Sequence, residues 1–560
     1  MLPTRLEGSV VSRIGIGLGL AALTLSTTAQ AAWHGTASHA QVLQNATQLG
    51  AMPDTAPMRV TISLKLQNKA ALDSFVEASH SLVSRDYGRV LSDEEFNAGY
   101  APSSRQVQAV TDYLGRAGFS NIQAAPNNLL VTAEGRRSLV EAAFNTRIMQ
   151  FQYLGQVVHA NVQDAQVPDE LDGIVLAVTG LQNANTARPL IQHLGAANAA
   201  TNTARPLAGT ATGHVPVQFP AIYDAAGTAA GTGTNIGIIA EGDLTQVLTD
   251  LRTYESQNKL AQVPVSFVPG ITNGTDTSGL DEWDLDSQSS TSIAGGVKNL
   301  TFYNAASLND ADLEVAYNLA VSANVVKAVN VSLGGCESSE NSSGGMAAAD
   351  QIFEAAMAKG ITFFVSSGDG GAYTGCSAQE GIFTAVSYPA SSPYVVAVGG
   401  TTLNTNSDGS YAGETTWAGG GGGVSKYEAA PTWQKKITGS TAREVPDISM
   451  DADPNSGALI IVSGSSLQVG GTSLAAPLST GTWARAESAS GNTLGFAAPV
   501  IYSAASTFHD ITSGCNSGSN SVDALLSALL LQKDYCAGTG YDAATGLGSF
   551  DIAKFIAAAG

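Results

Sequence analysis

Short apolar runs alternate with stretches of helical periodicity along most of the chain from about residue 214 onward. Each run has the length of one buried strand, and the stretches 310–323 and 346–359 have the length and spacing of helices. Such alternation predicts a parallel, doubly wound α/β sheet, in which active sites lie at the carboxyl ends of the strands. The predicted strands are 235–240, 299–304, 325–332, 361–366 and 394–398.

Residues 32–185 carry a different pattern, which predicts an α+β domain. Residues 58–66 alternate like a strand, and 69–79 and 104–117 have helical periodicity. Ser92 followed by Glu95 is the signature of a capped helix start.

A linker is predicted after this domain. Residues 183–213 are rich in Ala, Asn and Thr and hold few large apolar side chains, which is typical of an exposed connection. We assign residues 186–207 to the linker and expect proteolytic processing in or near 201–208. The second, larger domain is then residues 208–560.

The first 31 residues are typical of a secretory signal peptide. Arg5 and Arg13 supply the positive region, the apolar run 14–25 is too short to span a bilayer, and 29–31 is a small-x-small cleavage signal. No other segment is apolar enough to suggest a membrane span. We therefore expect a soluble, secreted product, extracellular or periplasmic, with no membrane partner.

Charge excludes some partners and suggests a working pH. The chain has 47 acidic and 26 basic residues and a formal net charge of −21. Nucleic acids and anionic membranes need basic patches, so neither is an expected partner. At low pH many carboxylates would be protonated and self-repulsion would fade, which agrees with an acidic habitat.

The four cysteines predict two structural disulfides in an exported protein. Three pairings are open, and we favour Cys336–Cys376 and Cys515–Cys536 because each closes a local loop. No C-x-x-C spacing suggests zinc.

The strongest chemical signal is the segment 470–477, with sequence GGTSLAAP. A helix starting at Thr472 or Ser473 would leave the Ser473 hydroxyl accessible beside backbone N–H groups that stabilise negative charge. Pro477 is expected in the first turn, where N–H groups have no partner inside the helix. An ordinary capping serine is the alternative, but the extended segment resembles the nucleophile motif of subtilisin-like folds.

A nucleophilic serine needs a base, and the histidines are poorly placed for that role. After the linker only His214 and His509 occur, and neither fits the Asp, His, Ser order of subtilisins. His34, in an HGT segment, lies just after the predicted signal peptide.

Carboxylates offer another base. Glu282 and Asp286 are four residues apart and share one helix face. The neighbouring Trp283 and Leu285 predict a partly buried helix, in which two carboxyls could share a proton.

In this order, the motifs EWDLD (282–286), SSGD (366–369) and GGTSLAAP (470–477) resemble those of the sedolisins, the serine-carboxyl peptidases. The resemblance covers nearly everything after the signal peptide. It implies a subtilisin-like, doubly wound catalytic domain preceded by an α+β propeptide domain. Further similar stretches are 91–102, 330–334, 394–402 and 446–449.

The resemblance also implies roles for four residues. Ser473 would attack the scissile carbonyl, Glu282 would act as general base, and Asp286 would hold Glu282 in place. Asp369 would donate a hydrogen bond to the oxyanion and must be protonated to do so. A free carboxyl titrates near ~4, so we expect kcat/KM to peak below about pH 5.

A structural calcium ion is implied near the C-terminus. The family's site matches Asp510, Ile511, Gly538, Gly540 and Asp542, whose carboxylates and backbone carbonyls are hard oxygen ligands. The glycine run 419–423 lacks the Lys-Ser/Thr of a phosphate loop. It predicts a flexible loop, and the family places such a stretch on the substrate side.

The expected protein is a secreted acid endopeptidase that acts on proteins or peptides as a monomer. Its propeptide would be its intramolecular inhibitor, removed by acid-triggered self-cleavage. A tripeptidyl-peptidase of the same family, a histidine-dependent subtilase and a non-catalytic secreted binding protein remain alternatives.

Overall fold

The computed structural model describes residues 32–55, 57–81, 83–195, 210–270, 274–373, 384–517 and 534–560. The predicted signal peptide, the predicted processing stretch 201–208 and Cys376 lie outside these ranges. No helix among the described residues is long and apolar enough to cross a membrane.

The N-terminal part is an α+β unit, as predicted. Its antiparallel sheet has four strands, in the order Ser120–Ala124, Leu130–Arg136, Pro57–Leu64 and Val175–Thr179. Its elements, with the two short strands that follow it, are β1 (Trp33–Gly35), β2 (Thr47–Ala51), β3 (Pro57–Leu64), α1 (Lys69–Ser79), α2 (Asp93–Gly99), α3 (Ser104–Ala117), β4 (Ser120–Ala124), β5 (Leu130–Arg136), α4 (Arg137–Ala143), β6 (Ile148–Tyr153), β7 (Gln156–Asn161), β8 (Gln166–Pro168), β9 (Val175–Thr179), β10 (Arg188–Pro189) and β11 (Gln192–His193).

Local sequence sets these elements. The Ser92 side chain accepts from Glu95 N, and the Glu95 side chain accepts from Ser92 N, so the predicted cap of α2 is a capping box. One face of α3 buries Val107, Val110 and Leu114 against the sheet, which is the helical spacing seen in the sequence.

The C-terminal part contains the predicted doubly wound sheet. Its elements are α5 (Phe219–Ile222), β12 (Asn235–Glu241), α6 (Thr245–Gln257), β13 (Val265–Pro269), α7 (Leu280–Ala294), β14 (Asn299–Ala305), α8 (Asp310–Ala323), β15 (Ala328–Val331), β16 (Leu333–Cys336), α9 (Glu337–Ser343), α10 (Gly345–Ala358), β17 (Thr362–Ser366), β18 (Ser387–Tyr388), β19 (Val396–Thr405), β20 (Tyr411–Thr416), β21 (Gly423–Ala429), α11 (Thr432–Thr438), β22 (Ala442–Val445), β23 (Ile448–Asp451), β24 (Ala458–Val462), β25 (Ser465–Gly470), α12 (Thr472–Ala489), α13 (Ala497–Ser503), β26 (Phe508–His509), β27 (Ser549–Phe550) and α14 (Ile552–Ala559).

The central sheet has the strand order β13-β14-β12-β15-β17-β19-β20, with β23 also paired to β19. All these pairs are parallel except β19–β20. Strands β12 and β14 are buried along almost their whole length, as expected when helices cover both faces of a sheet. Helices α7 and α12 pack together on this sheet, and α8 packs with α10.

Two details of the helices differ from the sequence predictions. Helix α7 is buried at every residue from Glu282 to Ala294, not only in part, because it packs against α12, α6 and β24. Helix α12 begins at Thr472, so Pro477 lies beyond its first turn. Because proline has no N–H, Pro477 cannot donate the helical hydrogen bond to the Ser473 carbonyl oxygen. The Ser332 hydroxyl lies 3.5 Å from that oxygen.

The N-terminal sheet covers α8 and α10 through polar contacts. Arg59 pairs with Asp312 at 2.9 Å, and Thr179 donates to Glu314 at 2.9 Å. The predicted Cys515–Cys536 disulfide is present. Cys336 is also disulfide-bonded, and its predicted partner Cys376 lies outside the described residues.

Candidate active site

Three side chains meet at the carboxyl edge of the sheet. Ser332 follows β15, and Asp369 follows β17 by three residues, as the sequence pattern predicts. Ser473 lies in the first turn of α12, whose N-terminal N–H groups face the same edge. The strand order therefore brings together residues that are far apart in the chain.

Ser473 and Glu282 are in direct contact. The Ser473 hydroxyl donates to Glu282 Oε2 at 2.9 Å, and both side chains are fully buried. Burial, and then the charge of Asp286, raise the pKa of Glu282 well above its ordinary value. The contact therefore joins a hydroxyl to a carboxyl group that binds protons readily.

Asp286 is held by residues at the end of β15. Ser332 Oγ donates to Asp286 Oδ1 at 2.6 Å and accepts from Asn330 Nδ2 at 3.0 Å. Within the described residues, no group donates to Glu282 Oε1 or Asp286 Oδ2. The negative charge of Asp286 favours a proton on Glu282.

These contacts of Asn330 and Ser332 were missed at the sequence level. The signals in the sequence are the position of Ser332 at the end of the predicted strand 325–332 and the family-like stretch 330–334.

Asp369 faces the start of α12. Its Oδ1 accepts from the backbone N–H and from the hydroxyl of Thr472, each at 2.8 Å. Its Oδ2 is buried and receives no hydrogen bond from Thr472. Burial is the main cause that raises the pKa of Asp369 to about 7. The group is thus a neutral acid over most of the acidic range.

The glycine run 419–423 is buried and tightly packed, so the expectation of a flexible loop is wrong. Gly421 N donates to Gly368 O at 2.6 Å. A Cβ on Gly421 would lie 2.1 Å from Ser367 O. Only glycine allows this approach of two backbones, which fixes the loop that carries Asp369.

The linker runs through the site in an extended conformation, and the prediction of an exposed linker is wrong for Ala187 and Leu190, which are buried, but not for Arg188 and His193, which are exposed. Strand β10 pairs antiparallel with β16, and Leu190 N donates to Ser332 O at 3.2 Å. A Cβ on Gly471 would lie 2.1 Å from Leu190 O. The Leu190 carbonyl therefore passes beside the loop that precedes Ser473. Leu190 itself is only 4% exposed.

The residues after Leu190 also contact the site. Strand β11 pairs antiparallel with β25, and the Gln192 side chain hydrogen-bonds to Asp369. His193 Nε2 lies 2.8 Å from Asp281 Oδ2. No sequence pattern indicates these contacts, because a low-complexity linker carries no periodicity.

No described histidine hydrogen-bonds to Ser473, although His193 of the linker contacts Asp281 beside Glu282. His214 is buried, and its ring packs on Phe219. His34 contacts Asp169 in the N-terminal part, and His509 stacks on Tyr411.

The two halves of the predicted calcium site converge. Gly540 N lies 3.1 Å from both carboxylate oxygens of Asp510, and Gly538 N donates to Asp542 Oδ2 at 2.9 Å. No described backbone amide donates to the carbonyls of Ile511, Gly538 or Gly540. Two carboxylates and free carbonyls form an oxygen donor set that fits Ca²⁺.

A second group of potential ligands lies nearby. Asp224, His509 and Asp551 bring their ligand atoms within 4.8 Å of one another. Lys554 Nζ already pairs with Asp551 at 2.7 Å, so a cationic partner is in place there.

Comparisons with known proteins agree with this architecture. The Pro-kumamolisin activation domain model matches residues 44–184, and the Subtilase family model matches residues 225–505. Sedolisin of Pseudomonas sp. (strain 101) is 44% identical over 519 residues, covering 89% of this chain and 86% of that protein. Xanthomonalisin of Xanthomonas sp. (strain T-22) is 40% identical over 551 residues, covering 89% of this chain and 65% of that protein.

A solved structure is also similar. It is Pseudomonas sedolisin (serine-carboxyl proteinase) complexed with two molecules of pseudo-iodotyrostatin. The match has a TM-score of 0.58 and 45% identity, and it covers 62% of this chain and 98% of that chain.

A subtilisin-like fold with an N-terminal pro-domain defines this molecule as a serine-type peptidase. More narrowly, the chain belongs to the sedolisin family of serine-carboxyl peptidases.

Proposed function

We propose that this chain is the precursor of a secreted endopeptidase that hydrolyses proteins at acid pH through an acyl-enzyme. The observation that carries the proposal is the 2.9 Å hydrogen bond from Ser473 Oγ to Glu282, in place of a hydrogen bond to a described histidine. A serine next to a carboxyl base has the geometry needed for nucleophilic catalysis.

The first step is attack by Ser473. Its Oγ bonds to the scissile carbonyl carbon while Glu282 takes the hydroxyl proton. When the tetrahedral intermediate collapses, the C–N bond breaks, and Glu282 gives that proton to the leaving amine. Water then attacks the acyl-enzyme, with Glu282 again as base, and releases the acid product and Ser473. Asp286, fixed by Ser332, orients Glu282 and shares its charge.

Asp369 supplies the hydrogen bond to the oxyanion. A neutral carboxyl can donate a hydrogen bond, whereas a carboxylate would repel the developing negative charge. In the precursor, where the linker covers the cleft, burial raises the pKa of Asp369 to about 7; a carboxyl donor of this kind is present at acid pH and is lost as the pH rises through its pKa. This is the physical reason for acid activity.

The N-terminal domain acts as an intramolecular inhibitor. The linker fills the position of a substrate, with the Leu190 amide on Ser332 O. We propose that the bond Leu190–Ile191 is cut first at acid pH, and that trimming near 201–208 follows. Secretion through the signal peptide 1–31 places this activation outside the cytoplasm.

Calcium is proposed as a structural ion bound by Asp510, Asp542 and the carbonyls of Ile511, Gly538 and Gly540. It would bind the C-terminal loops together and takes no part in bond cleavage.

The test is digestion of a peptide library and of denatured protein between pH 2 and 8 with the processed enzyme. The Ser473→Ala protein, processed by an added protease, is the control. Internal cleavage with a maximum below about pH 5 is expected. A maximum at neutral pH would exclude the carboxylate mechanism, and release of tripeptides only from free N-termini would indicate a tripeptidyl-peptidase.

A further inference from the structure

A second pair of buried carboxyls lies on the other side of α7. Asp284 lies between Glu282 and Asp286 in the sequence and is fully buried. Its carboxyl is in hydrogen-bond contact with that of Asp250 on α6, so it points away from Ser473. Asp250 is also fully buried. The proposed mechanism does not use either residue.

Both carboxyl oxygens of Asp250 accept hydrogen bonds from backbone N–H groups. Its Oδ2 accepts from Ser463 N and its Oδ1 from Gly464 N, each at 2.8 Å. Ser463 and Gly464 have positive φ angles, 49° and 74°, and form the two-residue turn between β24 and β25. A carboxylate is the form of Asp250 that best binds two converging N–H groups.

Asp284 has the opposite surroundings. Its oxygens are buried and have no donor from a described residue at full hydrogen-bond distance. The adjacent Gln288 interacts with Asp284 only weakly, because its amide binds Ile461 of β24, donating to the carbonyl at 2.7 Å and accepting from the N–H at 2.8 Å. A hydrogen bond between two carboxyls requires a proton on one of them, and Asp284, which receives fewer donors than Asp250, is the better carrier.

The charged neighbours favour the same assignment. Helix α6 presents the charge of Asp250, the first turn of α7 presents that of Asp281, and β24 (Ala458–Val462) has no titratable residue. On α6, Arg252 is engaged by Glu255 and by the Val263 carbonyl. Burial first, and then the two aspartates, raise the pKa of Asp284 to about 10.

We propose that Asp284 is a neutral carboxylic acid that donates a hydrogen bond to the Asp250 carboxylate, and that this pair positions α7 against the β24–β25 hairpin. Strand β25 leads directly to Ser473, and α7 carries Glu282. The pair therefore helps to set the distance between base and nucleophile. This catalytic consequence rests on the proposed function, whereas the protonation of Asp284 does not.

Thermal unfolding of the full-length Ser473→Ala protein tests the pair without self-digestion. Asp284→Asn keeps a neutral donor, so its Tm should equal that of the parent at pH 4. At pH 7 its Tm should be higher, because the parent's unfolded state gains stability by losing the Asp284 proton above about pH 4. Asp284→Ala and Asp250→Asn should lower Tm at both pH values, and the exposed control Asp408→Asn should change neither.

The proposal is wrong if Asp284→Asn lowers Tm as much as Asp284→Ala. It is equally wrong if Asp284→Asn cannot fold, because a neutral donor of the same shape must fit the site. With Ser473 intact, Asp284→Ala should lower kcat roughly tenfold to 100-fold with little change in KM, and Asp284→Asn should restore it. If the parent shows no hydrolysis, the proposed function fails while the Tm comparison still decides the pair.

Discussion

Ser473 donates a hydrogen bond to Glu282 across 191 residues of sequence, at 2.9 Å. Subtilisin-like folds are usually associated with a histidine base, but here a carboxyl group occupies that position. The acid dependence of the proposed reaction follows from this contact and from Asp369. During the catalytic cycle Glu282 must take up and release a proton, and Asp369 must keep its proton.

Replacing Glu282 by Gln should remove the general base while preserving the side-chain shape. We expect kcat/KM to fall on the order of 10⁴-fold or more, measured with a fluorogenic peptide at pH 4. Asp408→Asn, an exposed acid-to-amide change, is the matched control. Activity of Glu282→Gln within tenfold of the parent would contradict the assignment of the base.

Asp369 gives a separate prediction about the pH profile. The donor is lost as pH rises through the pKa of Asp369, so the alkaline limb of kcat/KM should follow that group. Asp369→Asn keeps a neutral donor at every pH and should move the limb to higher pH. Asp369→Ala should cost about 10²–10³-fold in kcat at pH 4. An unmoved limb in Asp369→Asn would assign it to another group.

Processing of the precursor should begin at Leu190–Ile191. Mass spectrometry of the precursor after a shift to pH 4 is expected to show this cut before any within 201–208. Ser473→Ala should stay uncut, and Leu190→Asp should slow the first cut because the Leu190 side chain is buried. Normal maturation of Ser473→Ala without added protease would rule out self-processing.

Calcium removal should destabilise the protein. A chelator is expected to lower Tm, and elemental analysis should find one calcium ion per chain. Asp542→Asn should abolish both the ion and the chelator effect, because Asp542 gives one of the two charged ligands. Asp224→Asn is the matched control; loss of the ion in this variant instead would place the site at Asp224, His509 and Asp551.

Stability should be greatest at acid pH. Burial raises the pKa of Asp284 to about 10, of Glu428 to about 9 and of Glu354 to about 8. These groups keep their protons when folded and lose them when unfolded, so stability falls as pH rises above about 4. Carboxyl groups with lowered pKa values, such as Asp54 and Glu95, are exposed and oppose this trend weakly.

Thermal unfolding of the Ser473→Ala precursor between pH 3 and 8 measures this trend. Tm is expected to be highest near the acid end. A Tm that rises steadily from pH 4 to pH 7 would contradict the buried, protonated state of these carboxyls.

Much of the fold was accessible from local pattern. The predicted strands 235–240 and 299–304 agree with β12 and β14 almost to the residue, because apolar runs of strand length between helices allow few alternatives. The capping box of α2 and the start of α12 at Thr472 were also predicted from local residue types.

The sequence by itself determined the alternation of strands and helices, the helix-borne Ser473, and the spacing of Glu282 and Asp286 on one helix face. Each depends on residues within a few turns of each other. Only the tertiary structure decided that Ser332 holds Asp286, that Asp284 meets Asp250, and that the linker lies in the cleft. These contacts join distant segments, and their geometry depends on how the strands are ordered in the sheet.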